Sequence, residues 1–399
     1  MRILVVCQYY YPEPFRISDI CETLVKMGHE VTVLTGLPNY PEGHVLDEYR
    51  RGQKRNENIN GVNVIRCFEV GRGRGHLRLF LNYLSFVVSG SLRAIKLANS
   101  FDVVYVNQLS PVMMAIPAII YKRKNNKRLL LYCLDLWPES LAAGGIRNDS
   151  IIYKLFLRIS KRIYQSADKI LVSSAMFKEY FDNVLQISSE NIDHLPQYAE
   201  DLFSVKTNGE KNIEYDDSKY NFVFAGNIGE MQSVDTIIKA ANLLRDHDDM
   251  YFHIVGDGVK LEECKELAME FGLENICFYG RRPIEEMPSF YALATAMLIT
   301  LKDNKALSYT IPGKLQSYMA AGKPVIGAIN GETARVIKES GCGMCCAAED
   351  YTALARLLLD FCNSNQKAQM GQKAKLYYSV QYRKERFISL LENRFTALA

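Results

Sequence analysis

A chain of 399 residues is longer than a single hydrophobic core usually serves, so we expect two domains. Hydrophobic residues make up 48% and charged residues 23% of the chain, which is typical of a soluble globular protein. The net charge of +3 is too small to indicate a nucleic-acid partner, and no window approaches an uninterrupted apolar run long enough to span a membrane.

The ten cysteines lie mostly inside apolar runs, and the chain begins with a strand-like run at 2–7 instead of a signal peptide. We therefore expect reduced cysteines in a cytoplasmic protein. Cys342, Cys345 and Cys346 come nearest to a metal site, but no paired histidine or second Cys-x-x-Cys accompanies them. The composition thus predicts no bound metal.

Short apolar runs alternate with helical patterns along the chain. The predicted strands are 2–7, 30–35, 62–67, 103–106, 129–134, 169–173, 193–196, 221–225, 251–255, 276–279, 296–300, 324–328 and 343–346. The predicted helices include 16–27, 83–98, 151–166, 233–244, 259–271, 285–293, 312–321 and 351–362. Repeated units of this kind predict an α/β protein in which helices cover both faces of parallel sheets.

The alternation pauses once, in a polar segment at 199–219 that contains Asn-Gly and is typical of a linker. We therefore predict two doubly wound domains, at 1–205 and 215–382, and expect a last helix at about 383–399 to pack back on the first domain. In open sheets of this kind, ligands bind beyond the carboxyl ends of the strands.

The stretch 307–326 reads as a polar loop, a helix that begins near Pro312 and a buried strand that follows Gly322. A loop of small hydroxyl residues before a helix presents free backbone N–H groups to an anion. Lys314 adds a positive charge in the first turn. The pattern favours a phosphate or diphosphate site, and an ordinary α/β loop is the alternative.

Five motifs occur in order: 28–36 (GHEVTVLTG), 135–140 (DLWPES), 224–232 (FAGNIGEMQ), 255–258 (VGDG) and 318–326 (YMAAGKPVI). Together they resemble the retaining nucleotide-sugar glycosyltransferases of family 4. The sequences around Pro12-Glu13 and at 38–41 (PNYP) resemble those of a bacterial surface-polysaccharide subgroup. That subgroup includes N-acetylfucosaminyl and fucosyl transferases for O-antigen, capsule and colanic acid.

The resemblance implies a GT-B fold, in which two Rossmann-like domains face each other across a cleft and the second domain binds a UDP-sugar donor. Implied catalytic residues are Asp135, Arg282 and Lys314. The implied donor-binding residues are Gly226, Asn227, Gly229, Gln232, Arg281, Arg282, Lys302, Ser308, Tyr309, Thr310, Ile311, Lys314 and Ser317.

This chain departs from the family pattern at several donor positions. The family often places Arg near Asn227 and Lys near Gln232, and its paired glutamates align with Tyr309 and Ser317. Hydroxyl groups at the last two positions can still accept hydrogen bonds, more weakly than carboxylates do. The remaining cations are then expected to hold the diphosphate; they are Arg281, Arg282, Lys302 and Lys314. The alternative for each is an ordinary solvated surface charge.

The first domain is implied to bind the acceptor, with Glu13, Arg16, Asn39 and Glu139 on the acceptor side. Asp135 directly follows the buried run 129–134, so it lies at a strand's carboxyl end. There it either contacts a substrate hydroxyl or caps the next helix. For Arg16 and Glu139, the alternative to a role in acceptor binding is a purely structural one, as charged residues at the start of a helix.

A basic segment precedes apolar residues at 72–86, where Arg72, Arg74, His76 and Arg78 come before residues that include Phe80, Leu84 and Phe86. Cations beside exposed aromatics favour a helix lying on an anionic membrane. A lipid-linked acceptor, such as an undecaprenyl-diphosphate glycan, would suit a peripheral protein. A buried helix with a solvated basic loop is the alternative.

The expected reaction moves a hexosyl group to a sugar hydroxyl, with cations and N–H groups stabilising the leaving phosphate. The acidic run at 246–249 resembles a metal motif of other glycosyltransferases but reads as a solvated turn, so no divalent metal is expected. The alternatives are a UDP-sugar 2-epimerase of the same fold and a non-catalytic nucleotide-binding scaffold. A dehydrogenase is disfavoured because no Gly-x-Gly-x-x-Gly follows the first strand.

Overall fold

Buried apolar runs and amphipathic helices build two separate parallel sheets in the computed structural model. The structure describes residues 1–73, 75–143, 145–204, 213 and 215–399. The described chain divides into two compact units, one formed by Met1–Leu195 with Ile388–Ala399 and the other by Pro196–Phe387. Each unit carries one sheet, and the predicted α/β class with two Rossmann-like sheets is confirmed.

The first sheet has the strand order β3-β4-β2-β1-β5-β6-β7-β8. Its strands are β1 (Arg2–Val6), β2 (Glu30–Thr35), β3 (Asn56–Ile59), β4 (Val62–Arg66), β5 (Val103–Gln108), β6 (Arg128–Cys133), β7 (Lys169–Val172) and β8 (Ile192–His194). All described pairs are parallel except β3 with β4. The order reverses between β1 and β5, where α/β sheets commonly bind ligands.

Helices alternate with the strands of this sheet along the chain. They are α1 (Ile17–Lys26), α2 (His76–Lys96), α3 (Ile116–Asn125), α4 (Glu139–Ala143), α5 (Ile151–Tyr164) and α6 (Met176–Asn183). In α1, for example, Ile17, Ile20, Cys21 and Leu24 are buried, which is the spacing of a helix that packs one face on a sheet.

The second sheet has the order β11-β10-β9-β12-β13-β14, and its described pairs are all parallel. Its strands are β9 (Tyr220–Ala225), β10 (Met250–Val255), β11 (Ile276–Gly280), β12 (Ala296–Thr300), β13 (Val325–Ala328) and β14 (Gly343–Cys346). Its helices are α7 (Val234–Leu243), α8 (Leu261–Glu270), α9 (Met287–Leu293), α10 (Lys305–Ser308), α11 (Gly313–Ala320), α12 (Gly331–Ser340), α13 (Tyr351–Asn363) and α14 (Lys367–Gln381). The order reverses between β9 and β12.

The last helix, α15 (Lys384–Leu398), belongs to the first unit from Ile388 onwards. There the Phe395 ring meets the Tyr105 ring edge-on at 5.5 Å, and Arg394 Nε lies 2.6 Å from Asp193 Oδ2. The predicted linker at 199–219 falls partly outside the described residues, so the domain limits at 205 and 215 stay predictions.

Two elements differ from the sequence prediction for clear physical reasons. The helix predicted at 83–98 begins earlier, at His76. It starts directly after Gly75, whose positive φ of 90° lies outside the helical range. Strand β3 was not predicted, since the sequence Asn-Glu-Asn-Ile lacks an apolar alternation. It forms as an antiparallel edge strand on β4, where a polar strand is tolerated.

Candidate functional site

Two loops at the carboxyl edge of the second sheet pack so closely that their glycines cannot be replaced. A Cβ on Gly256 would lie 1.8 Å from the carbonyl oxygen of Gly226. The Gly226 N–H donates to Val255 O at 2.9 Å, and the Ile228 N–H donates to Asp257 O at 2.8 Å. The loop after β9 is thereby held against the loop after β10, next to the reversal of strand order.

Lys314, in the first turn of α11, places its ammonium group beneath this loop. Lys314 Nζ lies 3.7 Å from the centre of the Phe224 ring, and a Cβ on Gly226 would lie 3.0 Å from it. The atom is buried from solvent, and among the described residues it has no hydrogen-bond partner. Burial lowers the pKa of Lys314 to about 7.

A buried ammonium without a hydrogen-bonded anion is costly, because it has lost water and gained no charged partner. The Phe224 ring compensates only in part, since a cation over an aromatic face gains about 0.5–2 kcal/mol. An anion at the Gly226 loop would satisfy Nζ and restore its charged form. The geometry therefore suits a phosphate group, and the phosphate or diphosphate site at 307–326 stays a prediction.

The other predicted cations have different surroundings. Lys302 Nζ lies 3.0 Å from Glu230 Oε1, and that hydrogen bond and charge raise the pKa of Lys302. Arg282 Nε donates to Tyr279 O at 3.2 Å, beside Glu286. Arg281 is exposed at the end of β11. Of the four predicted donor cations in the described residues, Lys314 is the one whose charged group is buried without a hydrogen-bond partner, whereas Lys302 already has a carboxylate partner.

Amide groups close the loop after β9. Asn227 Nδ2 donates to Gln232 Oε1 at 3.1 Å, and a Cβ on Gly229 would lie 2.6 Å from Asn227 Nδ2. Thr300 Oγ1 donates to Gln232 O at 2.6 Å and ties the loop to the end of β12. Four predicted donor positions, Gly226, Asn227, Gly229 and Gln232, are therefore brought together with Lys314.

The loop between α10 and α11 has its hydroxyl groups partly committed to its own backbone. Ser308 Oγ donates to Asn304 O at 3.3 Å, and Thr310 Oγ1 donates to Leu307 O at 2.9 Å. Tyr309 is half-buried, and Ile311 packs against the core. Ser317 points away from the loop: it is buried, and its Oγ bonds Lys314 O at 2.9 Å and Tyr291 OH at 3.1 Å.

In the first unit, Asp135 lies two residues after the end of β6, and its carboxylate is held through one of its two oxygens. Its Oδ2 accepts from the Ser110 N–H and from Ser110 Oγ, both at 3.0 Å. Trp137 Nε1 also donates to Ser110 Oγ, at 2.9 Å. Burial raises the pKa of Asp135, and Ser110 partly offsets this rise. Asp135 Oδ1 makes no hydrogen bond within the described residues, so it is the oxygen suited to a substrate hydroxyl.

Glu13 and Glu139 are turned inward. Glu139 is buried, and Tyr153 OH donates to its Oε1 at 2.5 Å. Glu13 accepts from the backbone N–H groups of Asn39 at 2.9 Å, Tyr40 at 2.8 Å and Tyr10 at 3.2 Å. Burial raises the pKa of Glu13 to about 7, although these three N–H groups act against the rise. Both carboxyls shape the loops instead of extending beyond them.

The sequence analysis missed a buried polar cluster beside these loops. Glu69 Oε1 accepts from Gln8 Nε2 at 2.7 Å and from Asn82 Nδ2 at 2.6 Å, and burial raises the pKa of Glu69 well above its usual range. Asn39 joins the cluster, since its Oδ1 accepts from Asn82 Nδ2 at 3.3 Å. Gln8 at the end of β1 was the available signal, because a polar residue there faces the ligand edge of a sheet.

Arg16 lies directly before α1, half-buried at the same carboxyl edge. The structure thus collects all the acceptor-side candidates except Glu139 around the loops after β1 and β2, while Asp135 and Glu139 follow β6.

No group of three or more His, Cys, Asp or Glu side chains in the described ranges could hold a metal ion. The acidic run at 246–249 is an exposed turn between α7 and β10. Cys342 is buried, and the Sγ atoms of Cys345 and Cys346 contact backbone carbonyls.

Helix α2 exposes a continuous line of apolar side chains, which we call the apolar stripe. Its members recur at helical spacing on one side, with Leu77 73% exposed and Leu92 57% exposed. The stripe consists of Leu77, Phe80, Leu81, Leu84, Val88, Leu92 and Ile95. Asn82, Phe86, Gly90 and Ala94 form the buried side, so the expectation that Phe86 is exposed is wrong.

The basic residues that precede the apolar stripe, at 72–78, are only partly exposed. Arg72 is half-buried, with its Nη1 3.3 Å from Tyr9 OH and its guanidinium over the Tyr40 ring. His76 and Arg78 are exposed at the start of α2, and Arg74 lies outside the described residues. None of the helices described is long and apolar enough to cross a membrane.

Two family models match the chain, one in each half. Residues 15–197 match the glycosyl transferase 4-like domain, and residues 205–377 match the glycosyl transferases group 1 domain. The chain therefore belongs to the glycosyltransferases that combine these two domains, and it has the GT-B fold, as the five motifs predicted.

Curated relatives agree with this assignment. The probable glycosyltransferase WbjE of Pseudomonas aeruginosa is 28% identical over 74% of this chain and 75% of its own length. WcaI of Escherichia coli strain K12, assigned as a colanic acid biosynthesis glycosyl transferase, is 24% identical over 81% of this chain and 82% of its own length. HepE of Anabaena, solved with UDP-glucose, shares the fold at a TM-score of 0.72 and 15% identity, over 100% of both chains.

Proposed function

We propose that this glycosyltransferase moves a sugar from a UDP-sugar, with retention at the anomeric carbon, to a glycan carried on undecaprenyl diphosphate. The reaction would serve the synthesis of O-antigen, capsule or another exopolysaccharide. The donor sugar we propose is N-acetylfucosamine or a related deoxy- or amino-sugar. The protein would act without a metal, on the cytoplasmic face of the membrane.

The observation that carries the donor part is the buried, unpartnered Nζ of Lys314 against the Gly226 loop. In the transfer step, the bond between the anomeric carbon and the diphosphate oxygen breaks and negative charge grows on that oxygen. A charged Lys314, together with loop N–H groups, would stabilise this charge in a place from which water is excluded. UDP as the nucleotide is supported by the UDP-glucose complex of HepE, which has the same fold.

The acceptor part is supported by Asp135 and by the relatives. Asp135 Oδ1 is available to bind an acceptor hydroxyl, which would orient that hydroxyl for attack on the anomeric carbon. WcaI is described as a colanic acid enzyme, which points to an acceptor in surface-polysaccharide assembly. The apolar stripe of α2 would bring the first unit to the membrane that carries such an acceptor.

The test uses purified full-length protein, UDP-N-acetylfucosamine or UDP-N-acetylglucosamine, and an undecaprenyl-diphosphate-linked sugar. Release of UDP only when the lipid acceptor is present, with label passing to the lipid and the anomeric configuration kept, is the expected result. Epimerised UDP-sugar in the absence of any acceptor would instead identify a 2-epimerase. UDP binding without either reaction would identify a non-catalytic scaffold.

A further inference from the structure

A basic pocket lies beside the C-terminal half of α2, between that helix and the edge of the first sheet. We call it the β4–α2 pocket. Arg55, Arg66, Arg93 and Lys96 line it, together with Cys67 and Leu92. Its described lining contains no acidic residue, so the local charge is strongly positive although the whole chain carries only +3.

Of these four cations, Arg66 is neutralised by a carboxylate. Arg66 Nε lies 2.9 Å from Glu57 Oε2, and its Nη2 donates to Tyr11 O at 2.6 Å. In the part of the chain that the structure describes, the side chains of Arg55, Arg93 and Lys96 form no ion pair or hydrogen bond.

Arg55 gives the clearest sign of a missing anion. Its Nη1 atom is buried from solvent without a hydrogen-bond partner. Burial lowers the pKa of Arg55, and no carboxylate among the described residues opposes that effect. Leaving a buried charged donor unpaired is expensive, so a ligand that accepts hydrogen bonds from Arg55 would gain from a site that is already formed.

The helix end does not account for the other two cations. Basic side chains near a helix C-terminus often bind its last carbonyl groups. At the end of α2 it is Lys124 that binds the carbonyl groups: its Nζ donates to Ile95 O and to Leu97 O. Within the described residues, Arg93 and Lys96 therefore remain without a partner at the pocket.

The surroundings of the pocket indicate the kind of anion. Leu92 belongs both to the pocket and to the apolar stripe, and Phe68, which follows Cys67, is 57% exposed. Ser89 Oγ donates to Phe68 O at 2.6 Å and fixes this residue beside the helix. Charge in the pocket and apolar surface at its rim match an anionic lipid, whose phosphate carries negative charge and whose chains are apolar.

We propose that the β4–α2 pocket binds the phosphate group of an anionic phospholipid, whose acyl chains lie along the apolar stripe. This site lies at the opposite end of α2 from the basic segment at 72–78, and the inference rests on the membrane association in the proposed function. A bound headgroup would fix the orientation of the first unit on the membrane, beyond a general attraction to negative charge.

Flotation of the full-length protein with phospholipid vesicles tests this site. Wild type, Arg55→Gln and Arg93→Gln/Lys96→Gln are compared on phosphatidylcholine vesicles with and without phosphatidylglycerol. We expect phosphatidylglycerol to increase wild-type binding, and each lost pocket charge to weaken it about 5-fold or more. The control is Arg356→Gln/Arg386→Gln, which removes two exposed charges of the second unit and should leave binding unchanged.

The outcomes separate this site from the proposed function. Pocket variants that bind phosphatidylglycerol vesicles as wild type does would overturn the pocket while leaving membrane association standing. Wild type that ignores phosphatidylglycerol would overturn both. Equal weakening by the control would reduce the effect to net charge and overturn the pocket. Inorganic phosphate that stabilises wild type, but not Arg55→Gln, without any vesicle effect would assign the pocket to free phosphate and contradict a lipid.

Denaturant unfolding of the same variants, followed with and without UDP, shows whether both units are folded. A loss of lipid binding with the first unit as stable as in wild type locates the defect in the β4–α2 pocket.

Discussion

Lys314 lies at the centre of the proposed donor site, and its burial makes the site sensitive to pH. The pKa of Lys314 falls from 10.5 in its ordinary state to about 7 in the folded chain. Between these values the unfolded chain binds more protons, so this group's contribution to stability rises with pH. Its penalty is full below about pH 7 and disappears towards pH 10.5, at about 1.4 kcal/mol for each pKa unit.

We expect donor binding to take up a proton on Lys314, because a diphosphate favours the ammonium form. UDP affinity should therefore fall as pH rises above about 7, by at most about tenfold for each pH unit. Calorimetry at pH 8, in buffers of different ionisation enthalpy, measures this uptake at a pH where the terminal phosphate is ionised. Binding without proton uptake would contradict a neutral resting Lys314.

Replacing Lys314 with methionine keeps most of the side-chain volume and removes the charge. At pH 7 and below we expect UDP to bind about 10–100-fold more weakly, because a charge-assisted contact is lost. The apo variant should unfold at a higher temperature than wild type below pH 7, since the buried charge is gone, and this advantage should shrink at higher pH. Lys305→Met, which lies on the neighbouring helix α10, is the control.

Asp135→Asn tests the acceptor side. The amide can still accept from Ser110, but it cannot bind a substrate hydroxyl as strongly as a carboxylate does. We expect turnover to fall about 10–100-fold while UDP affinity, a property of the second unit, stays within twofold or so. Unchanged turnover with a full complement of substrates would remove Asp135 from the proposed site.

Helix α2 shows that a sequence pattern can predict a helix without deciding which of its faces is buried. The sequence predicted an amphipathic helix with cations before it, but either face could have been buried. The structure buries the side with Asn82 and Phe86 and exposes the leucines, because small residues at Gly90 and Ala94 allow close packing; a Cβ on Gly90 would lie 3.0 Å from Pro117.

The stripe predicts a matched pair of variants. Leu84→Ser/Val88→Ser in α2 should weaken vesicle binding more than tenfold, because each buried aliphatic side chain contributes about 1.5–3 kcal/mol. Leu376→Ser/Val380→Ser makes the same two changes at the same spacing on exposed positions of α14 and should have no effect. Equal behaviour of the two variants in flotation would show that the stripe does not contact the membrane.

Much of the molecule could be predicted from its sequence because apolar runs define parallel strands directly. Most strand limits agree within one or two residues, and the place of Lys314 in the first turn of α11 followed from a helix start after a polar loop. Side-chain direction could not be predicted: Ser317 and Glu139 are turned into the core by bonds to Tyr291 and Tyr153. The Gln8–Glu69–Asn82 cluster joins residues far apart in sequence, which a local pattern does not reveal.

At the scale of the whole molecule, the chain ends in the unit where it began. Phe395 is completely buried in the first unit, so Phe395→Ala should lower the free energy of unfolding of that unit by about 3–5 kcal/mol. The exposed Thr396→Ala serves as the control. Denaturant unfolding with and without UDP checks this: the variant's first unit should unfold earlier, while stabilisation by UDP persists. A loss of UDP stabilisation would mean that the last helix also supports the donor unit.

A metal-independent UDP-sugar site is tested by thermal stabilisation of the purified protein by UDP, GDP, ADP and TDP, each with and without EDTA. We expect a clear rise in melting temperature with UDP alone, unchanged by EDTA and lost in Lys314→Met. Stabilisation by none of the four nucleotides, or only when a divalent metal is present, would contradict a metal-independent UDP-sugar site built around Lys314.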